Sequence, residues 1–312
     1  MPRPPFPGRL VFTALAALGA GTASAPAIVM ALGGNHLVSQ SAPTSADVRA
    51  IGHRAIANQH RDDDALERYE RVERQMQVTG GVQPRVTDDK AYRIVPTGTG
   101  TLRLLLRANG APVSASTYRG ELETWEKTLE MAIDPHNPEI QDALAKAAAR
   151  RTERNEIVDA TLRGYVSTWI GREMQDGFQC DKLQLDPDPS FQPHDAATEI
   201  LGHARVTLWI DQESGQVVRG DADIIRDISF GGGFLGKVYR GGHFVLKQHP
   251  VAPDIWLASY YQYDFSGRKL VFGFEDHKKV EISRYRDLGT VSQALGVARG
   301  DIANAATFAG SP

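Results

Sequence analysis

Residues 204–224 read ARVTLWIDQESGQVVRGDADI, and the fold turns on this stretch. Val206, Leu208 and Ile210 alternate with Arg205, Thr207 and Trp209, the two-residue period of a strand with one apolar face. Gln212 to Gly215 supplies turn residues. Val218, Ala222 and Ile224 then share a face, opposite Arg219, Asp221 and Asp223. Two alternating runs joined by a short polar turn predict an antiparallel pair.

The same pattern extends in both directions. Toward the C-terminus, Phe230-Gly231-Gly232-Gly233-Phe234 bends the chain before a strand to Tyr239, and Gly241-Gly242 leads into Phe244-Val245-Leu246-Lys247. Ile255, Leu257, Tyr261 and Tyr263 fall on one face, with Trp256, Ala258 and Tyr260 on the other. Ser266-Gly267 turns the chain into Leu270, Phe272 and Phe274, and Val280, Ile282 and Tyr285 close the series. Toward the N-terminus, Leu183 and Leu185 alternate, and the chain reads as strand from Tyr165. Further upstream, Tyr92 and Ile94, a turn over Pro96 to Gly100, and Leu102, Leu104 and Leu106 before Asn109-Gly110 predict a hairpin. Leu66 to Val78 fits a helix by the spacing of Leu66, Tyr69, Val72 and Met76, and a strand by Val72, Met76 and Val78. Short strands at near-regular spacing, joined by glycine-bearing turns, argue for one antiparallel meander.

Helices interrupt this β-rich chain. Ser45-Ala46-Asp47 opens one, which runs to about Gln59 before Arg61-Asp62-Asp63-Asp64 breaks it. Ser114 or Ser116 caps a second, carrying Leu122, Trp125, Leu129 and Ile133 inward. Asn137-Pro138 starts a third, with proline in the first turn where its missing N–H costs nothing. The last two form a helical insertion over residues 114–162. Val291 to Pro312 is rich in small residues, so residues 290–312 read as a disordered tail.

The first residues read as an export signal. Met1 to Arg9 carries only positive charge, Leu10 to Gly34 carries none, and Ala23-Ser24-Ala25 offers a small-x-small cleavage site. The uncharged run also has the length of a membrane span, so residues 1–34 are a signal peptide or an N-terminal anchor. Residues 35–44 read as a linker. Loss of Arg3 and Arg9 takes the formal charge from −3 to about −5. That acidic balance disfavours a nucleic-acid partner, which would need a basic face. Cys180 is the single cysteine, so no internal disulfide forms, and burial is its expected state.

Motifs for chemistry are few. His60-Arg61-Asp62 matches a kinase triplet without the rest of the kinase signature, and no Gly-x-Ser-x-Gly elbow occurs. His203, His243, His249 and His277 share the β-rich half but lack tight ligand spacing with a carboxylate. No catalytic residue, metal or cofactor is assigned. The aromatic set Trp209, Phe234, Phe244, Trp256, Tyr260, Phe272 and Phe274 is the candidate ligand-binding group. Its members are either core packing or the lining of a lipid-accessible cavity.

One resemblance covers about Ala204 to Leu288. Thr207-Leu208-Trp209-Ile210-Asp211 precedes Gly215-Gln216-Val217-Val218-Arg219, and Gly242-His243-Phe244, Ile255-Trp256-Leu257, Gly267-Arg268-Lys269-Leu270 and Ser283-Arg284-Tyr285-Arg286 follow in order. This resembles exported bacterial, often acidobacterial, proteins related to the outer-membrane lipoprotein carriers of the LolA/LolB type. The resemblance implies a mainly β (α+β) fold over residues 45–289. A curved antiparallel sheet forms an unclosed barrel there, with helices covering its concave face, and Leu66 to Val78 is a strand. It also implies a non-enzymatic extracytoplasmic protein that holds an acyl chain, a lipid or a lipidated partner. An envelope interaction or sensor module with a filled core is the alternative. The segment from Asp134 to Asn155 is longer than in the carriers, and no residue matches their lid-closing arginine.

Overall fold

The computed structural model describes residues 42–81, 83–134, 136–230, 236–270 and 272–305. The readings made for residues 1–41, for Phe234 and its neighbouring glycines, and for residues 306–312 lie outside these. No helix among the described residues is long and apolar enough to cross a membrane.

The first helix, α1 (Ser45–Leu66), begins in a reciprocal cap: Asp47 N–H donates to the Thr44 hydroxyl and the Asp47 carboxylate accepts from Thr44 N–H. It does not break at Arg61-Asp62-Asp63-Asp64. The acidic run faces basic residues of a later helix, α3 (Pro138–Gly164): Arg154 pairs with Asp63 at 3.1 Å and Arg151 pairs with Glu67. That tertiary seam carries the helix past its charged turn. The strand β1 (Tyr69–Val78) follows, paired on both sides, so its local helical spacing is overridden.

The hairpin β2 (Val86–Pro96) and β3 (Thr101–Ala108) forms where it was expected, with a short β4 (Ala111–Pro112) beside it. Ser114, not Ser116, caps α2 (Ala115–Ile133) by accepting from Thr117 N–H at 3.1 Å. Asn137 caps α3, with Pro138 in its first turn. Then come β5 (Tyr165–Gln175), β6 (Phe178–Pro187), a four-residue helix α4 (Ala196–Glu199), β7 (Ala204–Asp211) and β8 (Val217–Ile224). Short β9 (Ile228–Phe230) and β10 (Gly236–Val238) precede the long β11 (His243–Ala252), β12 (Ile255–Lys269) and β13 (Phe272–Asp287).

The expected disordered tail is a helix over most of its described part. α5 (Val291–Asn304) packs along α2 and buries Ala294, Leu295 and Ala298. Arg299 pairs with Glu126 and Glu130 of α2 at 2.9 and 2.7 Å. Its small residues serve close helix packing rather than fraying.

Eleven strands hydrogen-bond in one antiparallel path, β4-β3-β2-β1-β13-β12-β11-β8-β7-β6-β5. Its two ends do not pair, so the sheet is an unclosed half-barrel with flanking helices. Opposed residues share a face, and this parity can be followed across the path. Leu208, Leu246, Tyr261, Val280 and Gln75 lie on one face; Trp209, Lys247, Tyr260, Glu281 and Arg74 lie on the other.

The helices divide between these faces. α1 and α3 cover the first, where Val48, Ala55, Ile157 and Ala160 pack on Leu183, Val206, Ile210, Phe244 and Leu246. α2 and α5 cover the second at the far end, packing Leu122, Trp125, Leu129 and Ala298 on Ala91, Val95, Leu104 and Leu106. The helical insertion therefore does not lie on a single face.

Two bulges re-aim side chains. A shift between Trp209 and Ile210 sends Val218 to the Trp209 side, away from Ala222 and Ile224. Another at Lys247/Gln248 puts Ala258 with Tyr261 and Tyr263 instead of opposite them.

Trp125 anchors α2: it is fully buried and donates its indole N–H to the Pro96 carbonyl at 2.9 Å. Truncating it leaves a large cavity and an orphaned carbonyl. Trp125→Ala is expected to cost about 3–5 kcal/mol, read as a lowered urea midpoint.

Candidate functional site

Where α1 and α3 end their cover of the first face, an open cavity of about 390 Å³ remains. Its sheet side carries Phe244, Leu246, Ala258, Tyr261 and Ile282 together with the polar Arg71, Glu73, Arg103 and Gln248, and α1 contributes Asp62, Asp63 and Leu66. A second cavity of about 540 Å³ adjoins it, sharing Asp63, Leu66, Arg71 and Arg154. It extends between α3, the β2–β3 turn and the start of α5, and five arginines line it. By contrast, the space directly beneath α1 and α3 shrinks to about 50 Å³ among Ala55, Val158, Leu183, Ile210 and Leu246. The protein is thus filled under its helix pair and open beside it.

Some of the polar groups bordering the smaller cavity are paired. Arg71 donates to Glu73 at 2.9 Å, and Arg154 forms an ion pair with Asp63 at 3.1 Å. Asp62 has no ion-pair partner among the described residues. It is 1% exposed, and its Oδ1 accepts the Trp256 backbone N–H at 3.1 Å. Burial pushes its carboxyl pKa up to about 6, opposed chiefly by the bond from Trp256. Burial likewise raises Asp63, against the pull of Arg154, and raises the Tyr261 phenol to about 12.

The structure does not gather the aromatic set into one lining. Phe244 is fully buried on the first face and borders the cavity. Trp256 also borders it while packing on Phe178, ring centroids 4.7 Å apart. Trp209 lies on the opposite face, beneath Lys182 and Arg219, its indole N–H donated to Glu173. Tyr260 shares that face and donates to Gln262 at 2.7 Å. Phe274 packs at the margin of the first-face core, and Phe272 is 74% exposed beside the β12–β13 turn.

Sequence reasoning missed Asp62, Asp63, Gln248 and Arg71. The available signal was the acidic run, which reads as a helix breaker until α3 is placed against it.

The histidines do not converge. His243 bonds Asp223 and His277 bonds Asp264, each at 3.0 Å, in a cross-strand row Asp223–His243–Asp264–His277 on the second face. Glu156, His194 and Asp195 bring three ligand atoms within 4.8 Å of one another, all on exposed residues. Cys180 is fully buried, and burial raises its thiol to about 12.

No family model matches the chain, and no curated protein does. Solved structures align along it. A domain described as outer membrane lipoprotein-sorting, from Vibrio parahaemolyticus, aligns at 8% identity over 80% of this chain and 99% of its own, with a TM-score of 0.31. A DUF1329 family protein from Desulfovibrio piger gives 12%, 78%, 94% and 0.29 for the same measures. A LolA superfamily protein from Nitrosomonas europaea gives 10%, 78%, 94% and 0.28. Identity this low with superposition this loose assigns neither a family nor a function. What the fold and cavities define is a class: an open antiparallel half-barrel with an internal, partly polar cavity.

Two pH responses follow. Asp62's pKa of about 6 lies above its ordinary 3.8, so the folded state holds this proton more tightly than the unfolded chain. Its protonation favours folding at low pH, and that gain is lost as pH rises through about 6. Asp62→Asn keeps the Oδ1 acceptor; it should gain up to about 3 kcal/mol on wild type at pH 7.5 and little at pH 4, by urea denaturation. His243 is raised above 6.5, chiefly by its bond to Asp223. Its contribution is full below pH 6.5 and disappears as pH rises through the folded value. Thermal melts at pH 5.5 and 8.5 should show His243→Asn destabilised at the lower pH only.

Proposed function

We propose that this protein is a non-enzymatic extracytoplasmic binding protein that holds an acyl chain, a lipid or a lipidated partner in its half-barrel. The observation that carries the reading is the cavity of about 390 Å³ with a partly apolar sheet-side wall, adjoining a second of about 540 Å³. Volumes of this order accommodate small-molecule ligands. The export pattern at the N-terminus and the carrier-like residue pattern of the β-rich half support the same reading. Of the aromatic set, Phe244 and Trp256 are the ligand-contacting residues under this proposal, because both border the cavity.

The filled space beneath α1 and α3 favours a second reading, an envelope interaction or sensor module. Organic extraction of protein purified from its native envelope, followed by mass spectrometry, separates the two. The binding reading expects a co-purifying lipid and micromolar or tighter affinity for a fluorescent fatty acid. It expects Ala258→Phe, which fills the cavity from the sheet, to weaken that affinity at least tenfold with the fold intact by circular dichroism. Absence of both lipid and probe binding defeats it. N-terminal sequencing of the mature chain distinguishes a released shuttle from a tethered acceptor.

A further inference from the structure

Two buried acceptors in the smaller of the two adjoining cavities lack donors. Asp62 Oδ2 has no hydrogen-bond partner, although the side chain is almost wholly enclosed. Gln248 is 5% exposed; its amide N–H donates to Gln59 Oε1 at 3.4 Å, and its own Oε1 receives nothing. Both residues line the same cavity. The Gln216 amide, close enough to ease the burial of Asp62, donates to the Asp254 carbonyl at 3.3 Å. Of the neighbouring charges, Arg71 pairs with Glu73 and Arg154 with Asp63, while Arg71 Nη1 and Arg154 Nε and Nη2 make no hydrogen bond and are donors for which a hydroxyl oxygen could also serve as acceptor.

Leaving a buried acceptor unsatisfied is destabilising, and more so if it is charged. Two such atoms lining one cavity, Asp62 from α1 and Gln248 from β11, mark a place where the occupant supplies the donors. A plain alkyl chain or an ester cannot do so, since esters only accept.

We propose that Asp62 and Gln248 form a recognition subsite for a hydrogen-bond donor, so that the cavity takes an amphiphile headed by a hydroxyl or an ammonium in preference to a bare acyl ester. The apolar part of that ligand lies against Phe244, Leu246 and Ile282. The inference rests on the binding function proposed above and narrows it to a ligand class.

Competitive displacement of a bound fluorescent fatty acid tests it with the full mature chain and three probes: 1-dodecanol, dodecylamine and methyl dodecanoate. The alcohol, the amine or both should displace at least about tenfold more strongly than the ester. A stronger amine identifies an ammonium, and a stronger alcohol a hydroxyl. Asp62→Asn and Gln248→Leu should each cut the margin below about threefold while the ester's own displacement changes little. Gln248→Leu leaves the bond from Trp256 to Asp62 in place, so it tests the subsite independently of any change at Asp62. Equal displacement by all three probes, or a margin that survives both substitutions, overturns the subsite and leaves the binding function standing. Failure of the fluorescent fatty acid and of all three probes to bind overturns both.

Discussion

In an antiparallel pair, residues directly opposite one another point the same way, and in this protein eleven strands pass that rule along one unbroken path. A residue in β7 therefore fixes the direction of residues in β11, β12, β13, β1 and β2, far from it in sequence. Trp209, Lys247, Tyr260, Glu281 and Arg74 look one way because Leu208, Leu246, Tyr261, Val280 and Gln75 look the other. Only a bulge can change the assignment, and the bulges at Val218 and near Gln248 do so.

The helices obey the same parity. One end of the sheet presents its apolar residues on the first face and takes α1 and α3; the other end presents Ala91, Val95, Leu104 and Leu106 on the second face and takes α2 and α5. Between the two covered regions, the first face over β1, β12 and β13 has no helix seated fully upon it. The adjoining cavities occupy that interval. The opening is thus a consequence of cover switching sides along one sheet, and its polar residues come both from the seam where α1 meets α3 and from Arg71, Glu73, Arg103 and Gln248 of the strands.

Arg93 shows how the second core is held. It bonds Glu70 of β1 and Asp301 of α5, donates to the Tyr118 hydroxyl of α2, and lies 5.2 Å from the Trp125 ring centroid. One guanidinium links two strands and two helices, using its planar set of donors to satisfy several acceptors at once. This network makes the C-terminal helix part of the domain, although its composition of alanines, glycines and polar residues looks unstructured in isolation.

Much of the fold was legible locally. Alternation at Val206, Leu208 and Ile210, the hairpin before Asn109-Gly110, and the caps at Ser114 and Asn137 are short-range features, and periodicity and capping chemistry act within a few residues. The continuation of α1 through Asp62-Asp63-Asp64 was not legible, because its support comes from Arg151 and Arg154, about ninety residues away. The members of the candidate aromatic set could not be told apart locally for a related reason: alternation separates two faces but does not say which one carries an open space. Phe244 borders the cavity and Trp209 does not, a difference set by strand register and helix placement. The sequence by itself determined that this is a β-rich chain with interrupting helices. Tertiary structure alone decided where a ligand fits, because a cavity is the space left over when elements distant in sequence have packed.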